Sequence, residues 1–93
     1  MDTLSCCVVG YGGIADFHVE ALKQMDGIKL HTVMGRRSEP AEAFRVKHGF
    51  EKATTNYDAV MADKTIDAVI IGSPSEVHYE QTIKALEAGK HVL

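Results

Sequence analysis

The chain has 93 residues, which allow one small domain with a thin core and no second domain. Its 10 basic and 13 acidic residues give a formal net charge of -3, and this balance offers no electrostatic reason to expect a nucleic acid or an anionic membrane as partner. No apolar run approaches the roughly 20 residues of a membrane span and the N-terminus lacks a basic leader, so we expect a cytoplasmic protein.

The first predicted element is a strand over residues 5 to 9, an almost wholly apolar run typical of a parallel sheet that is covered on both faces. Cys6 and Cys7 are neighbours in this strand, so their side chains should point to opposite faces and should not bridge each other. Two buried free thiols in a reducing compartment are therefore favoured over redox or metal chemistry.

Closely spaced glycines follow this strand and lead into a helical pattern, which is the arrangement that a dinucleotide phosphate site requires. Gly10 can take the tight turn, and Gly12 lacks the Cβ that would keep a pyrophosphate away from the backbone. The free N–H groups of residues 12 to 14 would face that ligand at the positive end of the helix dipole. Glycine-rich turns are common, so the signal depends on the strand before the glycines and the helix after them.

The first helix is predicted from apolar residues at spacings of three and four, and Asp26-Gly27 should end it before a second strand over residues 29 to 34. Ala15 stands where the fingerprint allows a third small residue, which lets the helix pack closely on the strand. His18 lies on or beside the apolar face and is interpreted as a packing residue rather than a ligand. That face consists of Ile14, Phe17, His18, Ala21, Leu22 and Met25.

The residues that follow the second strand favour one cofactor over another. In this kind of fold the end of the second strand meets the adenosine ribose, where a site for NAD usually has Asp or Glu. This chain has Gly35, Arg36 and Arg37 there, and a guanidinium pairs with a phosphate that a carboxylate would repel. NADP is therefore preferred to NAD, the alternative being that both arginines are solvated charges beside Glu39 and Glu42.

The middle of the chain predicts a second helix, a short third strand and a brief third helix. Ser38 is expected to cap the second helix, Gly49 to end it, and His48 to lie at the surface. Residues 52 to 55 supply the third strand, and Asn56 should cap the third helix.

A fourth strand over residues 66 to 71 should pair with the first strand, as in a doubly wound sheet. Ser73 and Pro74 would then lie close to the glycine turn, at the edge where such sheets bind ligands. A fourth helix ends at Gly89, and residues 91 to 93 begin a fifth strand. The pattern predicts an α/β Rossmann-type fold, a doubly wound parallel sheet truncated after its fifth strand.

Four segments of this sequence resemble the Gfo/Idh/MocA oxidoreductases, the family of glucose-fructose oxidoreductase and the inositol dehydrogenases. Together they cover nearly the whole chain, and the most specific part is Ser73-Pro74 with His78, followed by the last segment. The resemblance implies hydride transfer between NAD or NADP and a carbon of a sugar, inositol or related polyol. The segments are residues 9–15, His18 with Ala21 and Leu22, residues 67–74 with His78, and residues 85–93.

The resemblance also implies which residues contact the cofactor. Residues 10–14 would hold the pyrophosphate, Arg36 and Arg37 would flank the adenosine end, and Ser73, Pro74 and His78 would lie near the nicotinamide half. For His78 an equally weighted alternative is a residue at the start of its helix that packs against its own turn. The predicted pyrophosphate residues are Gly10, Tyr11, Gly12, Gly13 and Ile14.

No catalytic residue or metal ligand is assigned to this chain. In the family a Glu-Lys-Pro segment follows the position of Leu93; its lysine assists proton transfer, and a second α+β domain supplies the other catalytic groups. Lys90 is not that lysine, because its place in the family pattern is the turn before the last strand. We therefore expect residues 1–93 to form an incomplete dinucleotide-binding domain that is inactive alone. The alternatives are a complete nucleotide-sensing module and a module that associates with itself through the exposed edge of the sheet.

Overall fold

One parallel sheet forms the centre of the computed structural model, which describes residues 3–72 and 75–92 and all their side chains except those of residues 75 and 76. The strands are β1 (Leu4–Val9), β2 (Ile28–Met34), β3 (Lys52–Thr54), β4 (Ala68–Ile71) and β5 (His91–Val92). They pair in parallel in the order β3-β2-β1-β4-β5. Because β4 lies beside β1, the strand order reverses there, and the predicted doubly wound Rossmann-type sheet is confirmed.

Helices cover both faces of this sheet. They are α1 (Gly13–Lys23), α2 (Ser38–His48), α3 (Tyr57–Ala62) and α4 (Ser75–Glu87). Alternate side chains of each strand point to opposite faces, so the buried apolar residues form two layers. Val8 packs with Val19 and Phe44 in the layer under α1 and α2, and Val9 packs with Val60 in the layer on the other face. Within the described ranges, no helix is long and apolar enough to cross a lipid bilayer.

Cys6 and Cys7 lie in opposite layers of the core, buried and without a disulfide, as predicted. Burial raises the pKa of the Cys6 thiol and raises the pKa of Cys7 to about 12. Burial therefore favours the neutral thiol over the nucleophilic thiolate at both positions.

The buried face of α1 differs from the predicted face. Ala15 is 1% exposed because its small side chain lets the helix begin close to the sheet, and this contact fixes the rotation of the helix. Both faces have apolar residues at spacings of three and four, so periodicity could not distinguish them. The helix also ends at Lys23, before the predicted Asp26-Gly27. The buried residues are Ala15, Val19 and Leu22, whereas the predicted Ile14, Phe17 and Met25 are exposed.

Local caps set the ends of α2 and α3. The N-cap of α2 is Arg37, one residue before the predicted Ser38. Gly49 ends this helix with a φ of 83°, a left-handed conformation that favours glycine, as predicted. Asn56 caps α3, also as predicted, because its Oδ1 accepts a hydrogen bond from the N–H of Ala59 at 3.1 Å.

His48 is buried between α1 and α2, so the expectation that it lies at the surface was wrong. Its Nε2–H donates to Asp16 Oδ1 at 2.7 Å, and Lys23 Nζ donates to its Nδ1 at 3.1 Å. Its ring also lies 4.5 Å from the ring of Phe44. Since both ring nitrogens have partners, burial leaves no polar atom unpaired. The hydrogen bond from His48 is the largest reason that the pKa of Asp16 is lowered, followed by the one from Lys47.

Candidate dinucleotide-binding site

Gly10 makes the turn at the end of β1. Its φ is 110°, a conformation that residues with side chains rarely adopt, so glycine is required there. Its N–H donates to the carbonyl oxygen of Met34 at 2.7 Å, which ties the turn to the end of β2. The tight turn expected at this glycine is therefore present, beside the carboxyl ends of two neighbouring strands.

The N-terminus of α1 has no side-chain cap and is not covered by neighbouring described atoms. Gly12 is its N-cap and has no side chain with which to bond the first amides. The N–H of Asp16 donates to the carbonyl oxygen of Gly12 at 3.0 Å, so the amides of residues 13–15 have no acceptor within the helix. A Cβ on Gly12 or Gly13 would meet none of the described atoms within 4 Å. The positive end of the helix dipole thus faces open space in which an anion fits.

A cleft of about 530 Å³ lies at the carboxyl ends of β1, β2 and β4. It extends from the glycine turn to Arg36 on one side and to Val77 of α4 on the other. Doubly wound sheets bind their ligands at this place, where the strand order reverses. Gly13 lies beside the cleft at the first position of α1. The other predicted pyrophosphate residues all line it, namely Gly10, Tyr11, Gly12 and Ile14.

Gly35 and Gly72 also line the cleft; the sequence placed Gly35 at the adenosine end without giving it a contact and gave Gly72 no role. A Cβ on Gly72 would lie 3.3 Å from the carbonyl oxygen of Val9, closer than most side-chain contacts, so glycine lets the end of β4 lie close to the end of β1. A glycine at the end of each strand next to β1 was the signal that could have identified both positions. Gln81 of α4 lines the cleft as well, and no sequence pattern marks it.

Arg36 and Arg37 occupy different places. Arg36 lines the cleft, whereas Arg37 is the N-cap of α2. Both are exposed, and in residues 3–72 and 75–92 neither side chain has a hydrogen bond or ion pair. Glu42, named above as an alternative neighbour, instead accepts from Arg45 Nε at 2.9 and 2.8 Å through its two carboxylate oxygens. The guanidinium of Arg36 is therefore available to an anion in the cleft.

His78 is not among the described residues that line the cleft. Its Nε2–H donates to the carbonyl oxygen of Ile71 at 3.3 Å, which connects α4 to the end of β4. This partner belongs to the neighbouring strand rather than to the helical turn of His78 itself. A position near the nicotinamide stays a prediction for His78. Ser73 and Pro74, predicted for the same region, lie outside the described residues.

A larger hollow, of about 760 Å³, lies between α2 and β3 and suits a dinucleotide poorly. Glu39 and Glu42 line it, and their negative charges repel phosphate groups. It also lies at the edge of the sheet, away from the point where the strand order reverses. The smaller cleft at the glycine turn is therefore the candidate site.

Known proteins resemble this chain over nearly its whole length. The model of a family described as "Oxidoreductase family, NAD-binding Rossmann fold" (GFO_IDH_MocA) matches residues 4–93. An NADP(+) scyllo-inositol 2-dehydrogenase of Bacillus subtilis is 33% identical over 92% of this chain and 26% of its own length. The 4-carboxy-2-hydroxymuconate-6-semialdehyde dehydrogenase of a Sphingobium strain is 33% identical over 91% of this chain and 27% of its own length.

Solved structures agree with these sequence matches. Levoglucosan dehydrogenase in complex with NADH and L-sorbose has a TM-score of 0.95 at 27% identity. That similarity covers 99% of this chain and 27% of the levoglucosan dehydrogenase chain. This chain thus spans about a quarter of the length of the curated relatives that it matches.

Proposed function

Because this chain belongs to the Gfo/Idh/MocA oxidoreductase family, as an NAD-binding Rossmann domain, we propose that its cleft binds a nicotinamide dinucleotide. When bound, that cofactor supplies or accepts a hydride, and we propose a carbon of a sugar, inositol or related polyol as the other reactant. The observation that carries the proposal is the open N-terminus of α1 beside the cleft. The substrate class is supported by the names of two similar proteins, a scyllo-inositol dehydrogenase and a levoglucosan dehydrogenase with L-sorbose.

The residues at the start of α1 fit a pyrophosphate. Gly12 and Gly13 leave the backbone bare, so its N–H groups can donate to phosphate oxygens. The helix dipole favours the negative charge of the ligand at this end. No Asp or Glu is among the described residues that line the cleft, so no carboxylate there opposes an anion. Gly10 contributes by turning the chain, and Ile14 borders the same space on the helix.

NADP is the preferred cofactor in this proposal, and Arg36 is the residue that selects it. Arg36→Asp is expected to raise the Kd for NADP about tenfold to hundredfold, because it removes a charge-assisted contact worth about 1.5–3 kcal/mol. The Kd for NAD should change far less, since NAD lacks the 2′-phosphate. Titration of both cofactors against wild type and variant measures this difference.

Arg37→Asp is the matched control, because Arg37 carries the same charge one residue along the chain but caps α2 outside the cleft lining. It should weaken NADP binding by less than Arg36→Asp does. Equal small losses for both cofactors in Arg36→Asp would show that this arginine is only a solvated charge. Equal losses of NADP affinity in the two variants would show that long-range charge, rather than a contact from Arg36, is responsible.

We propose that the chain binds the cofactor without turning over a substrate by itself. Among the described residues, those that line the cleft include no His, Lys, Asp or Glu, and the side chain there that could exchange a proton, that of Tyr11, lies over Gly35. Incubation of the 93-residue chain with NADP or NAD and a panel of sugars and polyols should leave the nicotinamide absorbance unchanged. Substrate-dependent reduction of the cofactor would contradict this part of the proposal.

A second proposal is a module that associates with itself through the exposed edges of its sheet. β3 and β5 are the two edges of the sheet, and each pairs with only one strand of the described chain. Unpaired backbone groups on an edge strand can recruit a strand from another molecule. Light scattering at rising protein concentration should then detect a dimer or larger species, whereas a monomer at high concentration would count against it.

We also propose that the chain works in the cytoplasm. Cys6 and Cys7 support a reducing compartment, because both are buried thiols without a disulfide.

A further inference from the structure

Gly35 is the first residue after β2, and the ring of Tyr11 covers it. Gly35 is buried, and its N–H donates to the carbonyl oxygen of Thr54 at 3.0 Å, which holds it between β2 and β3. A Cβ on Gly35 would overlap Cδ2 and Cε2 of the Tyr11 ring and would lie 3.4 Å from its Cζ. By contrast, a Cβ on Gly12 or Gly13 would meet no described atom within 4 Å.

The backbone gives no separate reason for glycine at position 35. In the described chain, the glycines with positive φ are Gly10, Gly27, Gly49 and Gly89. The ring of Tyr11 is therefore the reason that position 35 has no room for a side chain.

Tyr11 itself has little freedom to move away. It directly follows Gly10, whose N–H is bonded to the end of β2 at Met34. Its half-buried side chain packs against the core layer that contains Val8 and Phe50. Moving the ring to admit a side chain at Gly35 would break this packing, which costs stability.

We propose that Tyr11 is a specificity-determining residue that keeps a carboxylate out of the position of Gly35. This inference rests on the proposed function, since it concerns a dinucleotide bound in the cleft. The end of the second strand is where an NAD site presents Asp or Glu to the ribose 2′-OH. With Gly35 held bare, the charged side chain that lines this end of the cleft in the described chain is Arg36, which suits a 2′-phosphate.

The steric part of the proposal is tested by thermal unfolding of the full 93-residue chain. Gly35→Ala is expected to lower Tm by about 5–15 °C, because the added methyl group overpacks a filled position. Gly13→Ala is the matched control for stability and should change Tm by no more than about 2 °C, since its methyl group points into open space. In a Tyr11→Ala background, Gly35→Ala should cause no further loss of Tm.

The specificity part is tested by titration with NADP and with NAD. In the double variant Tyr11→Ala/Gly35→Asp, the ratio of the Kd for NAD to the Kd for NADP is expected to fall at least about tenfold below that of Tyr11→Ala. Gly35→Asp alone should unfold at a lower temperature and lose affinity for both cofactors. The reason is that the tyrosine ring and the new side chain compete for one space.

Two results would overturn the inference while the proposed function stands. One is an equal Tm for Gly35→Ala and Gly13→Ala. The other is a shift in the cofactor ratio from Gly35→Asp that is the same with and without the Tyr11 ring. A wild-type chain that binds neither NADP nor NAD is a different failure, because it overturns the proposed function and this inference together.

Discussion

Gly12→Asp is expected to weaken the binding of NADP and NAD at least about a hundredfold without lowering the stability of the fold. The aspartate carboxylate would bond the free amides of the first turn of α1 and would repel the pyrophosphate from them. A loss of two charge-assisted contacts, at about 1.5 kcal/mol each, corresponds to a change of this size. The fold should tolerate the new side chain because a Cβ on Gly12 meets no described atom within 4 Å.

The stability of this variant should equal that of wild type or exceed it slightly. Gly12 has φ -87° and ψ -169°, the extended conformation of an N-cap, and Asp in that position stabilises a helix by about a few tenths of a kcal/mol relative to Gly. Gly12→Asn is the matched control, since it has the same shape and caps the helix without a negative charge. It should bind the cofactor more weakly than wild type and more tightly than Gly12→Asp. Full affinity in Gly12→Asp would show that no anion approaches this corner.

Ala15→Leu is expected to destabilise the folded chain by about 2–3 kcal/mol, as measured by urea unfolding. Ala15 is 1% exposed and lies in the core layer with Val8 and Val19, so its position has little room for a larger side chain. A leucine at this point must push α1 away from the sheet or distort the strand beneath it. The same displacement moves the helix N-terminus, so cofactor affinity should fall together with stability.

Ala15→Gly separates these two effects. Glycine also satisfies the close approach of helix and strand, so α1 should keep its position and cofactor affinity should change little. The cost should be about 1 kcal/mol, which is the usual penalty of glycine in a helix. If Ala15→Leu is as stable as wild type, the close packing of Ala15 on the sheet does not fix the position of the helix.

The glycine turn could be predicted from the sequence because it depends on a short local pattern, and the strand order followed from the general topology of doubly wound sheets. The turn at Gly10 and the cap at Asn56 each involve residues within a few positions of each other. An apolar run such as β4 also has few ways to be buried in a chain of this length. Local chemistry therefore settled these elements before any three-dimensional contact was known.

The face of α1 and the burial of His48 could not be predicted in this way. Two apolar faces of α1 share the helical period, and the choice between them depends on the contact of Ala15 with the sheet. His48 is buried because Asp16 and Lys23 supply partners from 25 to 32 residues away. The contact of the Tyr11 ring with Gly35 could not be predicted either, since it exists only once β2 lies beside β1.

Binding of the cofactor pyrophosphate by the free backbone amides at the start of α1 is tested most directly by an NMR titration. NADP is added to the 93-residue chain labelled with ¹⁵N, and the chemical shift of each backbone amide is followed to saturation. The largest shift changes are expected at Gly12, Gly13 and Ile14, with smaller ones at Arg36. Saturable changes centred on the hollow between α2 and β3, or no change at all, would contradict this binding.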